Sequence, residues 1–178
     1  MNASRTLILN APQIERKLQR IARQIVEQHH QAEALILIGI SGQGMHMSRR
    51  LVDILREICD LNIAHEQLTL HKDAPLEHPI AYSGDEAALR GSDVVVVDDV
   101  LNSGRTLIYA VKYLLDHSPK SMKTAVLIDR FHRNFPIRAD FCGLTLSTTV
   151  KEHIEVSFHE DGSNSAYLED KAHAESAS

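Results

Sequence analysis

Tryptophan is absent and aromatic residues make up only 4% of the chain, so its core must be packed mainly from Leu, Ile, Val and Ala. Cysteine is nearly absent too. Cys59 and Cys142 stand alone, without metal-ligand or redox spacing, and read as apolar fillers in a reducing compartment. No charged leader precedes an apolar segment, and no apolar stretch approaches membrane-spanning length, so a cytoplasmic domain is expected. The charge imbalance is small, 19 basic against 24 acidic residues for a net -5, which excludes a global pull toward nucleic acid but leaves room for a local basic patch. Internal repeats are lacking. What is present is 178 residues at 43% hydrophobic content, enough for one domain, 1–178, with a real core.

The chain is organised around residues 92–106, SDVVVVDDVLNSGRT. A β-branched run at 94–97 meets two carboxylates, Asp98 and Asp99, then the small-residue turn Asn102, Ser103, Gly104, and a helical pattern from about Thr106. An apolar run ending in acid and glycine reads as a buried parallel strand entering a site-forming turn. Ligands of open α/β sheets bind beyond the carboxyl ends of strands, where helix N-termini attract phosphate. Carboxylates on one side and a phosphate cradle on the other are therefore expected.

Elsewhere, Asn10 with Gln13 has capping-box spacing, Pro12 fits a first helical turn, and Ile14, Leu18, Ile21 and Ile25 repeat at helical spacing up to about His29 and His30. Strands are expected at 34–40, 63–70, 123–128, 141–146 and around Ile154, Val156 and Phe158. Helices are expected after Gly44, with Met47, Leu51, Ile54, Leu55 and Ile58 inward, and from Leu107 to before Pro119. The stretch 71–90 loses all periodicity and reads as a flexible loop, in the form of an extended hairpin arm or a lid. The polar stretch 162–178 reads as a frayed tail. This order supports an α/β fold with a mainly parallel twisted sheet flanked by helices.

Three stretches carry a family resemblance: LILIGISGQGMHMSRRL (35–51), the 92–106 segment, and AVLIDRFHRNFPIRADFCG (125–143). Within the second of these, VVVVDDVLNSGRT (94–106) resembles the phosphoribosyl-pyrophosphate (PRPP) signature of the type I phosphoribosyltransferases. DRFHRNFPIRAD narrows the likeness to the PyrR class, pyrimidine-operon regulators that also act as uracil phosphoribosyltransferases. The resemblance implies the type I fold, with a flexible active-site loop and a small hood, here sought in 147–159. It also implies PRPP, uracil, UMP and pyrophosphate as ligands, Mg2+ as cofactor, assembly as dimers or larger rings, and RNA as a candidate partner.

The chemistry can be assigned residue by residue. Leu101, Asn102, Ser103, Gly104, Arg105 and Thr106 can supply backbone N–H groups and hydroxyls to a phosphate, or serve only as a helix cap. Asp98 and Asp99 can take the ribose hydroxyls, directly or through Mg2+; adjacent carboxylates repel unless a cation accompanies them. The resemblance makes Ser41, Gly42, Gln43 and Gly44 the pyrophosphate loop, with Gln43 standing where the family has an arginine. Losing that charge-assisted bond, worth about 1.5–3 kcal/mol, would reduce rate or affinity roughly tenfold to a hundredfold. Lys72, in the run His71-Lys72-Asp73-Ala74 where the class has Tyr-Arg-Asp-Asp, is the cation expected to compensate. Asp129 and Arg130 are expected on the PRPP and base side, and His132, Arg133 and Arg138 as RNA contacts; Arg138 with Asp140 is alternatively a surface ion pair or part of a subunit interface. Lys151, His153 and His159 are candidates for solvent-facing residues without a role. The reading is a uracil phosphoribosyltransferase. A catalytically weak, nucleotide-sensing RNA-binding regulator, a purine-base transferase and a binding-only sensor are the alternatives.

Overall fold

The structure, a computed structural model, describes residues 5–71, 77–131, 133–149 and 152–170. Strand β1 (Arg5–Leu9) leads into helix α1 (Ala11–Gln28), whose start is fixed by the capping box: Gln13 N–H donates to Asn10 Oδ1 at 3.0 Å and Asn10 N–H to Gln13 Oε1 at 2.9 Å. Strand β2 (Ala34–Ile40), helix α2 (Gln43–Ile58) and strand β3 (Asn62–Thr69) form the first parallel crossover. Then come β4 (Ala81–Tyr82), a 3-10 turn (Glu86–Leu89), β5 (Asp93–Leu101), α3 (Arg105–Leu115), β6 (Ser121–Arg130), β7 (Phe141–Leu146), β8 (Glu152–Ser157) and β9 (Ser165–Asp170).

Six strands make one sheet in the order β4-β3-β2-β5-β6-β7, all parallel except the edge strand β4. The apolar runs are continuous because both faces are covered. Leu35, Leu37, Val95 and Val97 join the core under α1 and α2, while Ile36, Ile38, Val94 and Val96 join Leu107, Ala110 and Leu114 of α3 on the other face. Ile14, Leu18, Ile21 and Ile25 are fully buried, each contributing roughly 1.5–3 kcal/mol. Helix α1 also closes the sheet's far edge: Lys17 Nζ reaches Gly143 O at 3.1 Å, and Arg20 Nη2 lies 2.8 Å from both Cys142 O and Gly143 O. From β2 the chain winds outward to β3, whereas β5, β6 and β7 wind the other way. The switch point is therefore the crevice between β2 and β5, which pair at Gly39 and Val97.

A separate three-stranded antiparallel sheet, β1-β9-β8, forms the hood. This corrects two expectations. The hood is not built from 147–159 alone, and 162–178 is not simply a frayed tail. Residues 165–170 form the central strand, because hydrogen bonds to β1 and β8 on both sides hold a segment whose composition is polar; residues 171–178 lie outside the described residues. Arg5 anchors the sheet by pairing with Glu155 at 2.6 Å and Glu169 at 3.1 Å over the Tyr167 ring. The loop at 71–90 is likewise more ordered than expected. Residues 81–82 extend the sheet beside β3 and Leu89 is fully buried, while 72–76, including Lys72, lie outside the described residues. Ile58, expected inward, is 37% exposed as the last residue of α2.

Cutting the chain after Asp161 removes the strand that β1 and β8 both need. The thermal midpoint should then fall by roughly 5–10 °C, whereas a cut after Asp170 should leave it within about 2 °C of the full chain by calorimetry.

Candidate functional site

Strand β5 carries its carboxylates further than the 94–97 run suggests, since it stays paired to β6 as far as Leu101 opposite Asp129. Asp98 is 4% exposed and its Oδ1 accepts the Asp99 N–H at 3.0 Å; Asp99 is half-buried. The loop from β2 to α2 presses against this pair. A Cβ on Gly44 would stand 3.0 Å from Asp98 Cα, Asp98 Oδ1 and Val97 O, so only glycine lets the two backbones approach this closely. Of Ser41, Gly42, Gln43 and Gly44, it is Gly44 that comes up against Asp98.

After Leu101 the chain turns through Asn102 and Ser103 to Gly104, which has φ +85° and serves as the N-cap of α3. Gly104 has no side chain with which to cap this helix; of its first N–H groups, Arg105 N–H meets Ser103 Oγ at 3.3 Å. The turn is braced from behind, with Asn134 N–H and Phe135 N–H both donating to Ser103 O at 2.9 and 3.1 Å. Arg105 lies over the Phe135 ring, 5.9 Å from its centroid.

These parts surround a cavity of about 550 Å³. Its walls are Asp98, Asp99, the turn 101–107, Val126, Asn134 and, from β8, His153, Ile154, Glu155 and Val156. It brings a carboxylate pair and a helix N-terminus into one space, the arrangement that suits a phosphorylated polyol. The two carboxylates also fit Mg2+, which binds through one or two carboxylates and completes its shell with water and substrate oxygens; among the described residues no cluster of three or more ligands forms a closed cage.

Arg130, 9% exposed, ends β6 beside this turn and belongs to no ion pair among the described residues. Its Nη1 donates to Asn102 Oδ1 at 3.0 Å, its Nε to Thr148 Oγ1 at 2.8 Å and its Nη2 to Thr149 O at 3.1 Å. Burial lowers its hold on the proton. Asp129 is engaged by Arg133, and Asp129 Oδ1 is buried without a partner among the described residues.

Several assignments change. Arg133, expected on an RNA-contact surface, is instead drawn onto Asp129. Arg138 does not pair with Asp140, whose carboxylate takes Lys123 at 3.2 Å and Thr124 N–H at 2.9 Å; Arg138 itself is exposed. Lys72, His132 and Lys151 lie outside the described residues. His153, read as a candidate solvent-facing residue, lines the cavity. The Thr148 and Thr149 contacts were not legible, because they pair residues 18 and 19 positions from Arg130. Gln43 has a structural role that the sequence did not reveal: its Oε1 accepts the Phe158 N–H at 2.9 Å, tying the start of α2 to the residue that follows β8. Gln43→Met should speed hydrogen exchange at the Phe158 amide about tenfold, as loss of one neutral bond predicts; unchanged protection would contradict the tie.

Comparison with known proteins agrees with this geometry. The phosphoribosyl transferase domain family matches residues 4–161. The chain is 38% identical over 163 residues to the bifunctional protein PyrR of Geobacter sulfurreducens, covering 88% of this chain and 92% of that protein. It is 39% identical over 169 residues to the PyrR of Streptomyces coelicolor, covering 90% and 88%. Among solved structures, the hypoxanthine phosphoribosyltransferase of Trypanosoma cruzi superposes with a TM-score of 0.75 at 17% identity, covering 93% of this chain and 97% of that one. A hypoxanthine-guanine phosphoribosyltransferase from Bacillus anthracis does so at 0.68 and 18%, covering 83% and 85%. At such identities these two speak for the fold alone. Sheet, switch-point site and relatives together establish that the chain belongs to the type I phosphoribosyltransferases, in their PyrR group.

Proposed function

We propose that the protein transfers the phosphoribosyl group of PRPP to uracil, giving UMP and pyrophosphate. The observation that carries this is the single cavity lined by Asp98, Asp99 and the N-terminus of α3 under the β8 wall. The 5-phosphate sits on the N–H groups of 103–106, where the helix dipole favours an anion. Asp98 and Asp99 hold the ribose hydroxyls and stabilise positive charge on the ring as the bond from C1 to the pyrophosphate oxygen breaks. A uracil ring nitrogen forms the new bond to C1 from the opposite face, and its proton leaves with solvent. Asp98 and Asp99 would hold Mg2+, which when bound would neutralise charge on the pyrophosphate. Lys72 adds a point charge to the same leaving group. The residues position and stabilise charge; none forms a covalent intermediate. Likeness to the PyrR group supports uracil over a purine, and assembly as a homodimer or larger ring.

A second reading, a nucleotide-sensing regulator that binds RNA, is favoured by one feature: Phe131 is 67% exposed beside the segment that carries the exposed Arg138. RNA affinity falling steeply with salt, and only with UMP present, would support it.

Pyrophosphate release from PRPP and Mg2+ should depend on uracil in a panel with hypoxanthine, guanine, adenine and orotate. Asp98→Asn with Asp99→Asn should cut it by a factor on the order of a hundred or more, with the thermal midpoint close to wild type. Release with none of the bases, despite UMP binding, would move the assignment to the regulator.

A further inference from the structure

We propose that Asn102 is a specificity-determining residue that reads a carbonyl oxygen of the nucleobase through its Nδ2 donor. This rests on the transferase reading above and deepens it. Arg130 approaches Asn102 with a guanidinium, which has donors only, so the atom facing it at 3.0 Å must be the amide oxygen. The other end of the amide is thereby fixed as a donor. A flip would set an NH2 group against an N–H of a buried cation. Arg130 cannot swing away to permit one, because Thr148 Oγ1 and Thr149 O hold two further corners of its fork.

The position of that donor defines its ligand. Asn102 lines the cavity together with Asp98, Asp99, the Ser103–Gly104 turn and residues 153–156 of β8. With the phosphate on the turn and the ribose on the carboxylates, the heterocycle extends toward the hood. Through Arg130, Asn102 is tied to the very segment, 148–149, that leads into β8. Among the described residues no acceptor takes Nδ2. A base edge presenting a carbonyl oxygen satisfies it; an edge presenting N–H or an amino group leaves two donors facing each other, and that base is rejected. Thr148, Arg130 and Asn102 thus form one chain that sets the polarity of the base pocket, with Arg130 as its positioning residue.

The test compares uracil, 2-thiouracil and 4-thiouracil, whose sulfur atoms are weak acceptors, in wild type, Asn102→Ala and Asn102→Asp, with kcat/KM from pyrophosphate release. Wild type should discriminate against one thio base by about tenfold, which also identifies the oxygen that is read. Asn102→Ala should lower uracil kcat/KM by about tenfold and erase that ratio, with the KM for PRPP moving less than about threefold. Asn102→Asp keeps the size and gains an ion pair with Arg130, so it should fold at least as stably and still lose the ratio. Variants that keep the wild-type ratio, or a wild type that shows none, would overturn the proposal. If wild type releases no pyrophosphate with any base, the enzyme reading fails separately. The same comparison is then made by calorimetry with UMP and its 2-thio and 4-thio analogues, where equal binding of all three to wild type overturns the proposal and a preference lost in Asn102→Ala supports it.

Discussion

The close approach of Gly44 to Asp98 is the contact on which the site depends. Two parallel strands running in the same sense deliver their following loops to one edge of the sheet, but delivery alone leaves a gap the width of a side chain. With no Cβ at Gly44, the backbone of the β2–α2 loop rests within van der Waals distance of the β5 carboxylate. The carboxylates and the start of α3 then share one crevice. The core under it is what makes this geometry rigid, since β2 and β5 are buried on both faces.

The hood depends on that crevice in turn. Gln43 reaches from the loop to the Phe158 amide, and Arg130 reaches from the end of β6 to Thr148 and Thr149, so both sides of the switch point hold the hood by a hydrogen bond. Residue 43, as a glutamine, carries no charge, yet it has an acceptor that an arginine would lack. Here that acceptor is in use.

Much of the fold was legible because it rests on local signals. Asn10, Pro12 and Gln13 announce α1 through a capping interaction contained within four residues, and the apolar runs 34–40 and 141–146 match β2 and β7 to the residue. The strand-to-helix turn with its two carboxylates and Gly104 was legible because the apolar run before it and the helical spacing after it are local signals. The rest depends on distant partners. Strand β9 is a polar segment made strand by β1, which precedes it by some 160 positions, and by β8; no composition reveals that pairing. The bond of Gln43 to Phe158 spans 115 positions, and Arg133 turns inward to Asp129 only because the end of β6 places that acid beneath it.

In the proposed enzyme, the turn 101–106 and the β5 carboxylates form one PRPP site at the β2–β5 switch point. Backbone amide shifts followed by NMR during titration with PRPP and Mg2+ test it most directly. The account predicts the largest changes at 103–106 and at Asp98 and Asp99, saturating together at one affinity. Shifts confined to other surfaces, or two groups titrating independently, would contradict it.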